Sequence, residues 1–98
     1  MKKINAQVIR DAARVLKVIG HPDRLRIVEA LEFRAKSVSQ LMKDLKLSQV
    51  AVSKHLAVLK RRGIVKSHPL SNYRLYSIAY LNVINVLNCV RSHGGKKP

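Results

Sequence analysis

Hydrophobic positions recur along most of the chain at helical spacing. Val8, Ile9, Ala12, Val15, Leu16 and Ile19 follow the three-and-four rhythm of one helix face and predict a first helix over about Asn5–Ile19. Gly20 ends it. The stretch HPDRLR then opens a second helix, with Pro22 at a first helical position and Asp23 near the positive end of the helix dipole. Leu25, Ile27, Val28 and Leu31 carry that helix to about Phe33, and RAKS reads as a short loop. Ser37 is placed to cap a third helix, and Gln40 three residues later completes a capping-box pattern. Val38, Leu41, Met42 and Leu45 form the apolar face of this third helix. Lys46-Leu47 makes a tight turn. Ser48 caps a fourth helix that runs to about Arg62, and Gly63 stops it.

The period then changes. IVKSH and YRLYSI are short β-rich runs separated by Pro69-Leu70-Ser71-Asn72, which reads as a hairpin with a four-residue turn. A last helix is expected from Tyr80 to about Ser92, with residues 94–98 as a frayed basic tail on a single domain spanning 1–98. Four helices, a hairpin and a helix, with a very short turn between the third and fourth helices, describe a mainly α winged helix-turn-helix.

On a wheel at about 100° per residue, Val52, Leu56 and Leu59 share one side of the fourth helix, and Val50, Lys54, Ala57 and Arg61 lie opposite. Gln49 and Ser53 flank the exposed side. The pattern by itself also suits an ordinary amphipathic surface helix. The chemistry at its N-terminal end suits a DNA major groove. Gln49 can pair bidentately with adenine, Ser53 can donate or accept, Val50 can meet a thymine methyl, and Lys54 can reach guanine or a phosphate. His55 lies off the exposed centre and takes a backbone or packing role. Lys60, Arg61 and Arg62 come late in the helix and suit phosphates.

Charge sharpens this picture. Twenty Lys and Arg stand against five Asp and Glu, a formal net charge of +15 over 98 residues. So basic a chain favours a polyanionic partner, nucleic acid first. With Phe33, Tyr73, Tyr76 and Tyr80 as the aromatic side chains and no Trp, stacking platforms for single strands are scarce. The single Cys89 excludes an intrachain disulfide and fits a reducing cytoplasm. No apolar run approaches the length of a membrane span, and MKKINAQVIRDAARVL puts Asn, Gln, Arg and Asp where a signal peptide needs apolar residues. There is no Gly-rich phosphate loop, nucleophile elbow or paired metal-ligand motif, so no enzyme is expected.

GHPDRLRIVEAL, SVSQLMKDLKLSQVAVSKHLAVLKRRGIV and YRLYSI together resemble the arsenic-repressor (ArsR/SmtB) family of bacterial winged-helix regulators. The resemblance spans roughly Val15 to Ile78, and Ser48 to Leu56 is its most specific part. It implies a dimer built from the first and last helices, and a repressor bound to an inverted-repeat operator and released by an inducer. It implies operator contacts at Gln49, Ser53 and Lys54; Ser48 and Val50 beside them are further candidate DNA-binding residues. Phosphate contacts are implied from the third helix, where Ser37 and Ser39 stand, and from the wing. The wing departs from the family pattern. Members often carry Gly and Arg at the tip, whereas here the tip is Pro69 to Asn72, leaving Lys66, Asn72 and Arg74 to meet the backbone.

The dimer also has support in the residues themselves. Leu81, Val83, Ile84, Val86, Leu87 and Val90 give the last helix an apolar surface wider than one protomer needs, beside a stripe of Asn82, Asn85 and Asn88. Val8, Val15, Leu81, Ile84, Leu87 and Val90 are the expected interface. Family metal sites use a Cys pair in the third helix, or an Asp and several His in the last. Neither set is present, and no cofactor is expected. Cys89 and His93, spaced i and i+4, remain the candidate ligands, able to form a Cys2His2 zinc site only across a dimer. Two rival functions fit the charge: a weakly specific architectural coater of duplex DNA, and a structural RNA-associated protein.

Overall fold

The computed structural model describes residues 2–94. Its elements are α1 (Ala6–Ile19), α2 (Pro22–Ala30), α3 (Val38–Leu45), α4 (Gln49–Arg61), β1 (Val65–Leu70), β2 (Tyr73–Ile78) and α5 (Val83–Gly94). This is the winged helix-turn-helix order. One core joins all five helices to the start of the hairpin: Val15, Val18, Ile27, Val28, Leu31, Leu41, Val52, Leu56, Leu59, Ile64, Val65, Val83 and Leu87 are buried in it. No helix among the described residues is long and apolar enough to cross a membrane. The proposed tail lies outside the described residues from 95 onward, and Gly94 is the last residue of α5.

Helix ends follow local chemistry. Asn5 caps α1 through its side-chain oxygen, which accepts the Gln7 N–H at 2.7 Å. Pro22 stands at the start of α2, but the cap is His21, whose Nδ1 accepts the Asp23 N–H at 3.1 Å. The Ser37 capping box is complete. Ser37 Oγ accepts the Gln40 N–H at 3.2 Å, and Gln40 Oε1 accepts the Ser37 N–H at 2.8 Å. α4 ends in a Schellman closure: Gly63 N–H donates to the Lys60 carbonyl at 3.0 Å, and Ile64 N–H to the Leu59 carbonyl at 2.9 Å. Gly63 sits at φ +77, a left-handed conformation that glycine adopts without Cβ strain. Lys46 closes α3 at φ 56 without that advantage. Arg26 Nη2 donates to the Leu45 carbonyl at 2.8 Å and so ties α2 to the same turn.

Three expectations are corrected. α2 stops at Ala30 and not at Phe33, because Leu31 N–H is shared between the Ile27 and Val28 carbonyls and Glu32 N–H reaches back only to Glu29. These tight i→i−3 bonds end the α-helical ladder. α5 begins at Val83 and not at Tyr80, because Val83, Ile84 and Asn85 make i→i−3 bonds to Tyr80, Leu81 and Asn82. The hairpin turn has two residues, Ser71 and Asn72, and not four, because Pro69 and Leu70 pair with Arg74 and Tyr73. Ser71 takes φ 57, the positive φ that two-residue hairpin turns demand at their first central position. Leu70 and Tyr73 flank this turn as the hydrogen-bonded pair, so Pro69 falls at a position whose backbone nitrogen faces away from β2.

The same alternation explains a contact invisible in the sequence. Tyr76 opposes Ser67 in a non-hydrogen-bonded pair, so its N–H and carbonyl point away from β1. They meet Lys36, with Lys36 N–H to Tyr76 carbonyl at 3.0 Å and Tyr76 N–H to Lys36 carbonyl at 2.8 Å. The RAKS segment is thereby a one-residue third strand that fixes the wing beside the start of α3.

Candidate nucleic-acid interface

The fourth helix is held by one face. Val52, Leu56 and Leu59 are buried against the core, while Gln49, Val50, Ser53, Lys54, Ala57, Lys60 and Arg61 are exposed. Ser48 Oγ accepts the Ala51 N–H at 3.1 Å and fixes the first turn. Val50 leaves 69% of its surface to solvent, an apolar side chain set in the middle of the polar row. At 1.5 Å per residue, Lys60 and Arg61 lie about 16–18 Å along the axis from Gln49. They belong to the opposite end of α4.

His55 is half-buried and turns inward, as expected of a packing residue. Its ring lies 4.5 Å from the His21 ring, centroid to centroid, at 53°. Burial first, then the electrostatic influence of the neighbouring His21 and Arg24, holds its pKa below the ordinary histidine value, with Asp23 pulling the other way. His21, Asp23 and His55 bring potential metal-ligand atoms within 4.8 Å of one another. His21 Nδ1, however, already accepts the Asp23 N–H. A neutral ring then carries its proton on the other nitrogen, so ligation would break the cap on α2 or displace that proton. The arrangement as it stands joins α4 to the start of α2.

A groove of about 750 Å³ opens between the α2–α3 connection, the start of α3 and the wing. Ser37, Ser39 and Arg74 meet there. Arg74 donates from Nε and Nη2 to Ser67 Oγ at 3.3 and 3.1 Å, which braces its guanidinium along the hairpin. Ser37, Val38, Ser39 and Gln40, the cap and first turn of α3, line this groove, and a helix N-terminus is a favourable setting for an anion. Arg34, Gln40 and Tyr73 also line it, and the sequence reading missed them. Arg34 carried a usable signal, being a cation immediately ahead of a capping box. Tyr73 carried none until the two-residue turn was known. Lys66 and Asn72 are exposed, Lys66 on the opposite face of β1 from Ser67 and Asn72 at the tip. Lys36 is occupied by Asp44 at 2.6 Å.

The expected self-interface divides. Val15 and Leu87 are buried in the protomer's own core and leave almost no surface exposed. Ile84 is half-buried. Val8, Leu81 and Val90 are exposed, at 56%, 73% and 47%. Ile4, Ile9 and Leu16 extend the exposed apolar surface along the first helix. Cys89 is a free, exposed thiol, and His93 is exposed on the same helix.

The sequence profile of bacterial regulatory proteins of the arsR family matches residues 21–67, from the His21 cap through the fourth helix into β1. The HTH-type transcriptional regulator Rv0081 of Mycobacterium tuberculosis is 36% identical over 80 residues, covering 81% of this chain and 70% of the relative. The transcriptional repressor PagR of Bacillus anthracis is 39% identical over 75 residues, 76% of this chain and 74% of PagR. The PagR crystal structure superposes with a TM-score of 0.79 over 88% of this chain and 99% of that one. HlyU from Vibrio cholerae superposes with a TM-score of 0.85 at 27% identity, over 94% and 100% of the two chains.

Proposed function

The chain belongs to the arsR family of bacterial regulatory proteins and is a winged helix-turn-helix transcriptional regulator, and from that premise we propose that it acts as a homodimeric repressor on an inverted-repeat operator in duplex DNA. One observation carries the reading. α4 is capped and buried along one side, while its N-terminal end offers Gln49, Val50, Ser53 and Lys54 to a partner. An adenine, a thymine methyl and a guanine or phosphate are the groups these side chains recognise.

Phosphates are taken by the α3 N-terminus with Ser37 and Ser39, by Arg34 ahead of it, and by Arg74, Lys66 and Asn72 along the wing. These contacts set register and supply salt dependence; they do not read sequence. The dimer forms through the exposed apolar surface of the first and last helices, with Val8, Leu81 and Val90 in it and Ile84 at its edge. A two-fold axis there presents two copies of α4 to successive major grooves. The protein works in the cytoplasm, beside the DNA.

Titration of the purified protein with the duplex immediately upstream of its own gene, against a scrambled duplex at two salt concentrations, tests this. A specific regulator prefers the native duplex by roughly 10³-fold or more and protects an inverted repeat. Equal binding to both, lost together as salt rises, would replace it with a charge-driven coater, and a preference for structured RNA would move the protein to a different class.

A further inference from the structure

A second cavity, of about 370 Å³, lies at the opposite end of α4 from the base-reading residues. Five of its lining side chains are cations: Arg14 and Lys17 of α1, Arg24 of α2, and Arg61 and Arg62 at the end of α4. No acidic side chain lines it. The spacing explains the convergence. Residues 14, 17 and 18 on α1 and 58, 61 and 62 on α4 are both i, i+3, i+4 sets, so each helix turns one continuous face toward the other.

Two of the five are held in place by backbone. Arg14 Nη1 donates to the Arg62 carbonyl at 2.6 Å, and Arg24 Nε donates to the Val18 carbonyl at 2.6 Å. Each guanidinium is thus anchored through one nitrogen, with other N–H groups left for a ligand. Val18 and Val58 give the cavity an apolar wall. Gathering five like charges around one space, with no counter-charge in its lining, opposes folding unless an anion occupies it. Three of the five carboxylates are paired elsewhere: Asp23 with Arg26, Asp44 with Lys36 and Glu32 with Arg91.

We propose that this cavity binds a small, multiply charged phosphoryl anion. Planar guanidinium forks match phosphoryl oxygens two at a time, and a lysine adds a point charge. The volume falls in the lower part of the range for small-molecule sites. The same chemistry could be presented by DNA backbone phosphates, so the test separates the two sources.

Inorganic pyrophosphate is titrated calorimetrically into the full-length protein without DNA, at about 0.15 M salt, where long-range surface charge is screened. The expected result is one saturable site per protomer, weakened about tenfold or more by Arg14→Gln and by Lys17→Gln, the loss of one charge-assisted hydrogen bond. Lys3→Gln removes the same charge far from the cavity and should leave binding unchanged. Circular dichroism and thermal melting check that each variant is folded, and Lys17→Gln leaves both backbone anchors in place should Arg14→Gln fail. Equal weakening by all three variants, or no saturable binding, overturns the proposal as diffuse charge. Unchanged pyrophosphate binding in Lys17→Gln, together with a uniform loss of duplex affinity and a salt slope smaller by about one, overturns it in favour of DNA phosphate.

Discussion

Gly63 joins the recognition helix to the wing, and replacing it by alanine isolates the cost of one backbone conformation. Its φ is +77, and a Cβ built there meets nothing within 4 Å. The substitution therefore adds no clash and removes no contact. What remains is the intrinsic penalty of a left-handed L-residue, roughly 1–2 kcal/mol, and a partial offset, about 0.4–1 kcal/mol, from the less flexible unfolded chain. The net expectation is a loss of about 1 kcal/mol, a fall in melting temperature of roughly 4–8 °C for a domain of this size. Lys46 supplies the mirror experiment. It already sits at φ 56 and ψ 46, so Lys46→Gly should gain about 0.5–1 kcal/mol by the same reasoning. Both are read from urea unfolding at one fixed protein concentration, since self-association adds to apparent stability, with an unchanged m-value showing that the end states are the same. A neutral or stabilised Gly63→Ala would refute the conformational argument. A loss above about 3 kcal/mol, beyond any backbone term invoked here, would mean the alanine methyl meets something and that the turn differs from the one described.

Other substitutions separate reading, assembly and stability. Gln49→Ala should cost on the order of 1–3 kcal/mol on the operator and relax base preference at one position per half-site, without lowering the melting temperature; an unchanged preference would remove Gln49 from the groove. Leu81→Asp places a charge on a side chain that is 73% exposed in the protomer, so it should convert dimer to monomer in sedimentation while the circular dichroism spectrum is kept. Glu32→Gln addresses pH. Arg91 donates to both carboxylate oxygens of Glu32 and holds its pKa below the ordinary glutamate value. A depressed carboxylate contributes stability that is fully present above its ordinary value and lost as the pH falls through the depressed one. The variant should therefore lose stability at neutral pH and show a shallower acid limb; an identical acid limb in both proteins would deny the pair any role.

Capping and periodicity made the scaffold legible before any coordinates. The Ser37–Gln40 box, the Ser48 cap and the Gly63 stop are local, each set by residues within a few positions of one another, and the structure forms all three. The buried stripe of Val52, Leu56 and Leu59 follows from the helical period alone. What escaped the sequence depends on distant partners. The Lys36–Tyr76 bridge joins positions forty residues apart, and nothing in RAKS distinguishes a one-residue strand from a loop. Val15 and Leu87 look the same in a helical pattern as Val8 and Val90, because periodicity tells apolar from polar but not a protomer's core from a partner's surface. Nothing local in the sequence places His21 against His55, which meet only because α2 packs on α4.

The distribution of the five acids gives the net charge its meaning. Three of them lie in pairs within the scaffold: Asp23 on Arg26, Asp44 on Lys36, and Glu32 on Arg91, which links α5 to the end of α2. Asp11 accepts from Gln7 at 3.0 Å on the surface of α1. None lines the groove beside the wing or the cavity behind α4. A formal +15 spread evenly would make only a sticky surface. Here no acid lines either of two concave regions, one edged by Arg34 and Arg74 and the other by Arg14, Lys17, Arg24, Arg61 and Arg62. The front region lies between the start of α3 and the wing, where phosphate contacts would set the register of the base-reading residues. The rear region gathers Arg61 and Arg62 at the C-terminal end of α4, about 18 Å or more along the helix axis from Gln49. Anion binding by the rear region and base reading by α4 are therefore separable by substitution, Lys17→Gln acting on the first and Gln49→Ala on the second.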